Sequence, residues 1–196
     1  MFGILHVCMG NICRSPMAER LTVLAARELV GDLASELLLV HGAGTGGWHV
    51  GSGMDPSAAR QVRARGGDAE RFAARKLASD LIEASDLILT ATGEQREFAQ
   101  EMRPDAAART FVLGEFGRLL RDVDLDPLPA FAPTAEAVEA RGVALVEAVA
   151  KLRGDRPPLP QDDLDDPWGR GDSYFSRVAD EIEATVGPLT RALLSP

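Results

Sequence analysis

Gly3-Ile4-Leu5-His6-Val7-Cys8-Met9-Gly10-Asn11-Ile12-Cys13-Arg14-Ser15-Pro16-Met17-Ala18-Glu19-Arg20-Leu21 is the stretch that decides the fold. Gly3 to Cys8 is a short apolar run of strand character. A glycine-containing loop follows, and from Pro16 an Ala- and Leu-rich stretch keeps helical spacing to about Val30. A strand that delivers a cysteine into a loop running on into a helix gathers main-chain N–H groups and the positive helix end around one point. Such a point attracts phosphate. Gly10 and Asn11 are residue types able to take the positive φ that turns successive N–H groups inward, and Pro16 falls where a first helical turn tolerates a missing donor. The same field acts on Cys8. A free cysteine titrates near ~8.5, helix N-termini and neighbouring cations bring it to roughly 3.5–7.5, and a thiolate at neutral pH is expected. Arg14 can return over the loop so that its planar fork grips two phosphate oxygens, and the Ser15 hydroxyl is placed to donate to the sulfur. A lone cysteine at a strand end is more often a small buried hydrophobe; the string from Val7 to Glu19 reverses that reading.

Outward from this unit the pattern repeats. Leu37 to Val40, Asp86 to Thr90 and Thr110 to Leu113 read as further strands, with helical patterns at Pro56–Arg65, Leu77–Ala84 and Glu94–Met102 between them. Strands alternating with helices imply a parallel sheet covered on both faces. After Leu120 comes an acidic, Pro-containing loop through Pro133, then a helix from about Thr134 to Leu152, a break at Arg156-Pro157-Pro158-Leu159-Pro160-Gln161, an acidic loop from Asp162 to Gly171, and a last helix around Ser173–Leu194. In that helix Phe175, Val178, Ile182, Val186, Leu189 and Leu193 are spaced to pack on a sheet. One domain over residues 1–196 is the simplest account.

A formal net charge of −9 argues against nucleic-acid and anionic-membrane partners, so the phosphate site must be local. Two cysteines, Cys8 and Cys13, are too few and too close for a stapling framework. The chain opens without a basic region, and no apolar run approaches the roughly 18 residues of a membrane span. A cytoplasmic protein, monomeric or weakly dimeric, is expected.

The string Val7 to Glu19 resembles the low-molecular-weight protein tyrosine phosphatase family. Ala43-Gly44-Thr45-Gly46-Gly47-Trp48-His49-Val50-Gly51, Met54-Asp55-Pro56, Ala74-Arg75-Lys76-Leu77 and Asp86-Leu87-Ile88-Leu89 look like family segments in the family's order. The likeness runs from Phe2 to about Leu120 and resumes at Asp165, so 121–161 reads as a family-atypical insertion. The resemblance implies a flavodoxin-like α/β fold with a four-stranded parallel sheet, no metal or organic cofactor, and phosphotyrosine-containing protein substrates. Hydrolysis would pass through a phosphocysteine on Cys8. The catalytic set would be Cys8, Arg14 and Asp166, with Met9, Gly10, Asn11, Ile12, Cys13 and Ser15 around the phosphate. Asp166-Pro167-Trp168-Gly169 matches the family's late loop bearing the general acid, which a departing phenolate needs. Its acidic neighbours allow a solvated turn instead, with Asp165 the alternative acid. Trp48 and Trp168 are either pocket walls for a phenyl ring or ordinary packing.

Departures from the pattern matter. Where many members brace the loop asparagine with a serine and a histidine, this chain has Gly42 and Phe72, which leaves Asn11 without its usual partners; His41 could substitute. Relatives acting on phosphoarginine carry threonine where this chain has Ile12, and Ile12 favours an aromatic ring. Phosphoarginine hydrolysis and non-catalytic phosphate binding remain the alternatives. Cys13 is either a disulfide partner for Cys8 or a packing residue under the loop.

Overall fold

The computed structural model describes residues 1–195. Four strands, β1 (Phe2–Cys8), β2 (Leu38–Gly44), β3 (Leu87–Thr90) and β4 (Thr110–Val112), form one parallel sheet in the order β2-β1-β3-β4. Every residue of β1 is buried, as a central strand with both faces covered requires. Its side chains alternate: Phe2, Ile4 and Cys8 enter one core, Leu5 and Val7 the other. Helices α1 (Arg14–Val30), α3 (Pro56–Ala64), α6 (Leu113–Leu120), α7 (Ala135–Arg153) and α8 (Asp172–Leu194) build the larger core, while α4 (Ser79–Glu83) and α5 (Gly93–Met102) cover the opposite face. The chain leaves β1 for β2 on one side and returns to β3 on the other. The carboxyl end of β1 is therefore a topological switch point, where open α/β sheets hold ligands.

Several boundaries differ from the sequence reading. β2 continues to Gly44 rather than ending at Val40, because Leu5↔His41 through Cys8↔Gly44 pairing with β1 carries residues of weak strand propensity. α1 begins at Arg14, so Pro16 is its third residue, still within the turn whose N–H groups lack helical partners. A four-residue α2 (Ala34–Leu37) and the whole of α6 were not expected. The apolar positions of α8 are all buried in the core cluster that also holds Phe2, Ile4, Leu89 and Phe111 of the sheet, and the helix packs chiefly on α1 and α6. Within 121–161, α7 packs on the inner strand β1, where Gly142 lies against the Phe2 ring, and its C-terminal end reaches β4. Arg153 stacks 4.2 Å from the Phe111 ring centroid and donates to Thr110 O at 2.8 Å.

Candidate active site

The loop from Met9 to Cys13 is held by its carbonyls. Cys8 O accepts from Thr45 N at 2.9 Å, Met9 O from Gly46 N at 2.8 Å, Ile12 O from Asp55 N at 2.9 Å, and Cys13 O from Met17 N at 3.1 Å. In a planar trans peptide the following N–H points the opposite way. The N–H groups of Met9, Gly10, Cys13 and Arg14 are thereby turned away from these tethers, and none of the N–H groups from Met9 to Cys13 finds an acceptor among the described residues. That is a concave array of donors at a helix N-terminus. Asn11 takes the positive φ, 52°, whereas Gly10 does not. Gly10 is needed for space, since a Cβ there would come 2.9 Å from His49 Cδ2. Gly44 serves the same end, its missing Cβ lying 2.8 Å from Met9 O.

Behind the loop, Ser15 Oγ lies 3.0 Å from Cys8 Sγ and accepts from Asn11 Nδ2 at 2.9 Å, while Asn11 Oδ1 accepts from Arg75 N at 2.9 Å. Asn11 thus has two partners despite Gly42 and Phe72. His41 is not one of them, because its Nε2 faces Ser85 Oγ at 2.9 Å. A Cβ on Gly42 would sit 2.9 Å from Asn11 Nδ2 and 3.1 Å from Glu19 Oε2, so Asn11 and Glu19 fill the space a serine would need. Glu19 is buried with Oε2 unpartnered, and its Oε1 faces Arg20 Nε at 3.3 Å. Burial pushes its carboxyl above the ordinary range, and Arg20 and Arg75 pull it back. Arg20 in turn lies over the Phe72 ring.

A cavity of about 230 Å³ opens above the loop. Cys8, Met9, Gly10, Ile12, Cys13, Arg14, Trp48, Asp166 and Trp168 line it, together with His49, which the sequence reading passed over. Asn11 and Ser15 lie behind the lining, both fully or almost fully buried. Trp48 and Trp168 are 76% and 64% exposed, too solvated for core packing. Trp48 folds over Gly46, where any side chain would collide with its ring. Arg14 is buried; Nη1 donates to Leu164 O at 3.2 Å and Nη2 to Asp166 Oδ2 at 2.9 Å, leaving Nε without a partner among the described residues. Trp168 N donates to Asp166 Oδ1 at 3.2 Å and fixes that carboxylate's orientation. Asp165 points elsewhere, accepting from Arg177 Nη2 at 2.6 Å, and this guanidinium holds its carboxyl below the usual range. Burial, with Asp55 second, drives the Cys13 thiol far up. Both cysteines are free.

The family described as "Low molecular weight phosphotyrosine protein phosphatase" matches residues 3–154, a span that stops short of the Asp166 loop. Low molecular weight protein-tyrosine phosphatase A of Mycobacterium tuberculosis is 44% identical over 87 residues, 42% of this chain and 52% of that one, so the chain spans about half the length of that relative. A low molecular weight protein-tyrosine-phosphatase of Streptomyces coelicolor is 34% identical over 157 residues, 76% of this chain and 93% of its own. Among solved structures, the YwlE arginine phosphatase from Geobacillus stearothermophilus shares the fold with a TM-score of 0.66 at 22% identity, covering 97% of this chain and 92% of that one.

Proposed function

The chain belongs to the low molecular weight phosphotyrosine protein phosphatase family, and from that premise we propose that it hydrolyses phosphotyrosine in proteins through a phosphocysteine on Cys8. The observation that carries this reading is the convergence of Cys8, an array of unpaired main-chain N–H groups, Arg14 and Asp166 on one small cavity with two exposed tryptophans. The phosphoryl oxygens would occupy the N–H array and Arg14 Nε, with Nη2 shared or released by Asp166, so that the fork binds through two nitrogens. The Cys8 thiolate attacks phosphorus, the P–O bond to the phenol breaks, and Asp166 gives its proton to the departing oxygen. Asp166, now a carboxylate, takes a proton from water as that water attacks the phosphocysteine. The P–S bond breaks, phosphate leaves, and Ser15 donates to the returning thiolate. We assign this role to Asp166 rather than Asp165 because Asp166 lines the cavity, whereas Asp165 pairs with Arg177 outside the lining.

The same reading takes residues 1–196 as one phosphatase domain with 121–161 as an insertion, acting in the cytoplasm, where a reducing environment keeps the Cys8 thiol free. Hydrolysis of p-nitrophenyl phosphate is the direct test. Cys8→Ser is expected to fall to background. Asp166→Ala is expected to keep phosphate affinity while slowing turnover about 10²–10⁴-fold, least for leaving groups that depart without a proton. Equal rates in wild type and Cys8→Ser end the proposal.

A second reading, phosphoarginine hydrolysis, has the same fold available to it, so the choice rests on the pocket. Ile12 lines the cavity with the two tryptophans and offers apolar surface where a guanidinium would need a polar partner. Phosphotyrosine peptides should therefore be preferred over phosphoarginine peptides in kcat/KM; the reverse order would replace the first reading by the second.

A further inference from the structure

A second and larger cavity, of about 700 Å³, lies at the far end of α8, some ~30 Å along the helix from Asp172 at its start. Leu120, Leu128 and Phe131 give it an apolar floor, contributed by the end of α6 and the loop after it. Arg121, Arg141 and Arg191 are among its lining residues, against the single acidic residue Asp126. In a chain of net charge −9 this is a local reversal of sign. Arg141 is buried and fixed: Nε donates to Ala192 O and Nη1 to Pro129 O, both at 2.6 Å. Arg121 and Arg191 are exposed at the rim and have no side-chain partner among the described residues. Arg141 is satisfied by those carbonyls, so a carboxylate would find its charge-assisted bonds on the exposed Arg121 and Arg191, while an apolar chain on the floor would remove that surface from water.

We propose that this cavity binds a small amphipathic anion, an apolar chain ending in one carboxylate, with the chain on Leu120, Leu128 and Phe131 and the head on the arginines. Its size lies within the range of small-molecule sites, and concave apolar surface with a few convergent polar groups is their usual character. The site shares no residue with the Cys8 cavity and does not depend on the catalytic reading.

Calorimetric titration with dodecanoate below its micellar concentration tests this, with dodecanol and acetate as controls and Arg121→Gln/Arg191→Gln as the variant. Both arginines are at the surface, so the variant should keep its Tm and its rate on p-nitrophenyl phosphate. The expected result is saturable one-to-one binding of dodecanoate, at least tenfold weaker binding of dodecanol and of dodecanoate to the variant, and none of acetate. Absence of saturable binding, equal affinity for dodecanol, an unchanged affinity in the variant, or displacement of dodecanoate by phosphate would each overturn the assignment.

Discussion

At φ 52° Asn11 holds a conformation that costs most side chains about 1–2 kcal/mol, and its amide offsets that cost by bridging Arg75 N and Ser15 Oγ. Restoring the family's serine at position 42 is therefore not a repair. Gly42→Ser would force Asn11 Nδ2 and Glu19 Oε2 apart in a packed site, at a cost of about 1–3 kcal/mol. Urea denaturation should show a lower midpoint, and kcat/KM should fall with it, because a loop displaced by about 1 Å can lose on the order of a hundredfold. The two cysteines make a second prediction. Cys13 is buried and its thiol is driven up by burial and Asp55, so iodoacetamide at neutral pH should label Cys8 and leave Cys13 unmodified, as mass spectrometry would report. That Cys8, Arg14 and Ser15 would gather at one loop was legible in sequence because their placement depends on fixed local spacing. The brace on Asn11 was not, since Arg75 acts through a backbone N–H that any residue carries, 64 positions away. His49 adjoined Trp48 in a glycine-rich loop and could have been read from that neighbourhood.

At the scale of elements, α8 was legible from its apolar period and α6 was not. Leu113-Gly114-Glu115-Phe116-Gly117-Arg118-Leu119-Leu120 carries two glycines, which weaken a helical reading. Its glycines exist for contact: a Cβ at Gly114 would strike the backbone of Asp162, and one at Gly117 would strike Thr185 of α8. Gly117→Ala consequently sets two effects against each other. The helix gains roughly 0.5–1 kcal/mol from losing a glycine, while overpacking against Thr185 costs about 1–3 kcal/mol. The net expectation is destabilisation with a lower Tm in calorimetry, partly recovered by Thr185→Ala in the double variant. Recovery identifies the α6–α8 approach as the cause; a stabilised Gly117→Ala would contradict it.

Over the whole molecule, acid is the expected weakness. His6 is buried against Thr22 with Nδ1 unpartnered, and burial, aided by His41, lowers its pKa to about 3; burial also lowers His41. The unfolded chain takes up protons on these rings below about 6.5 while the folded chain does not, so their contribution to stability is full above that pH and is lost as pH falls towards 3. Buried Glu19 and Glu115, with raised values, act in the opposite sense, but only above their ordinary range near 4.5. Below it nothing from these carboxyls opposes the histidines, and Asp162, lowered by its bonds from Arg118, loses stability in the same direction. Denaturation midpoints should drop steeply between pH 4.5 and pH 3, and the His6 ring should show no imidazolium signal by NMR in the folded protein at pH 5. Sequence alone determined the strand, loop and helix around Cys8, the alternation that makes a parallel sheet, and the catalytic candidates whose chemistry is local, because periodicity and side-chain type act over a few residues. Only the tertiary structure decided the support of Asn11, the placement of Asp166 on the cavity and of Asp165 against Arg177, the existence of α6, and a cavity lined by arginines from three separated segments. Those depend on which distant groups meet, and that is settled by packing rather than by spacing along the chain.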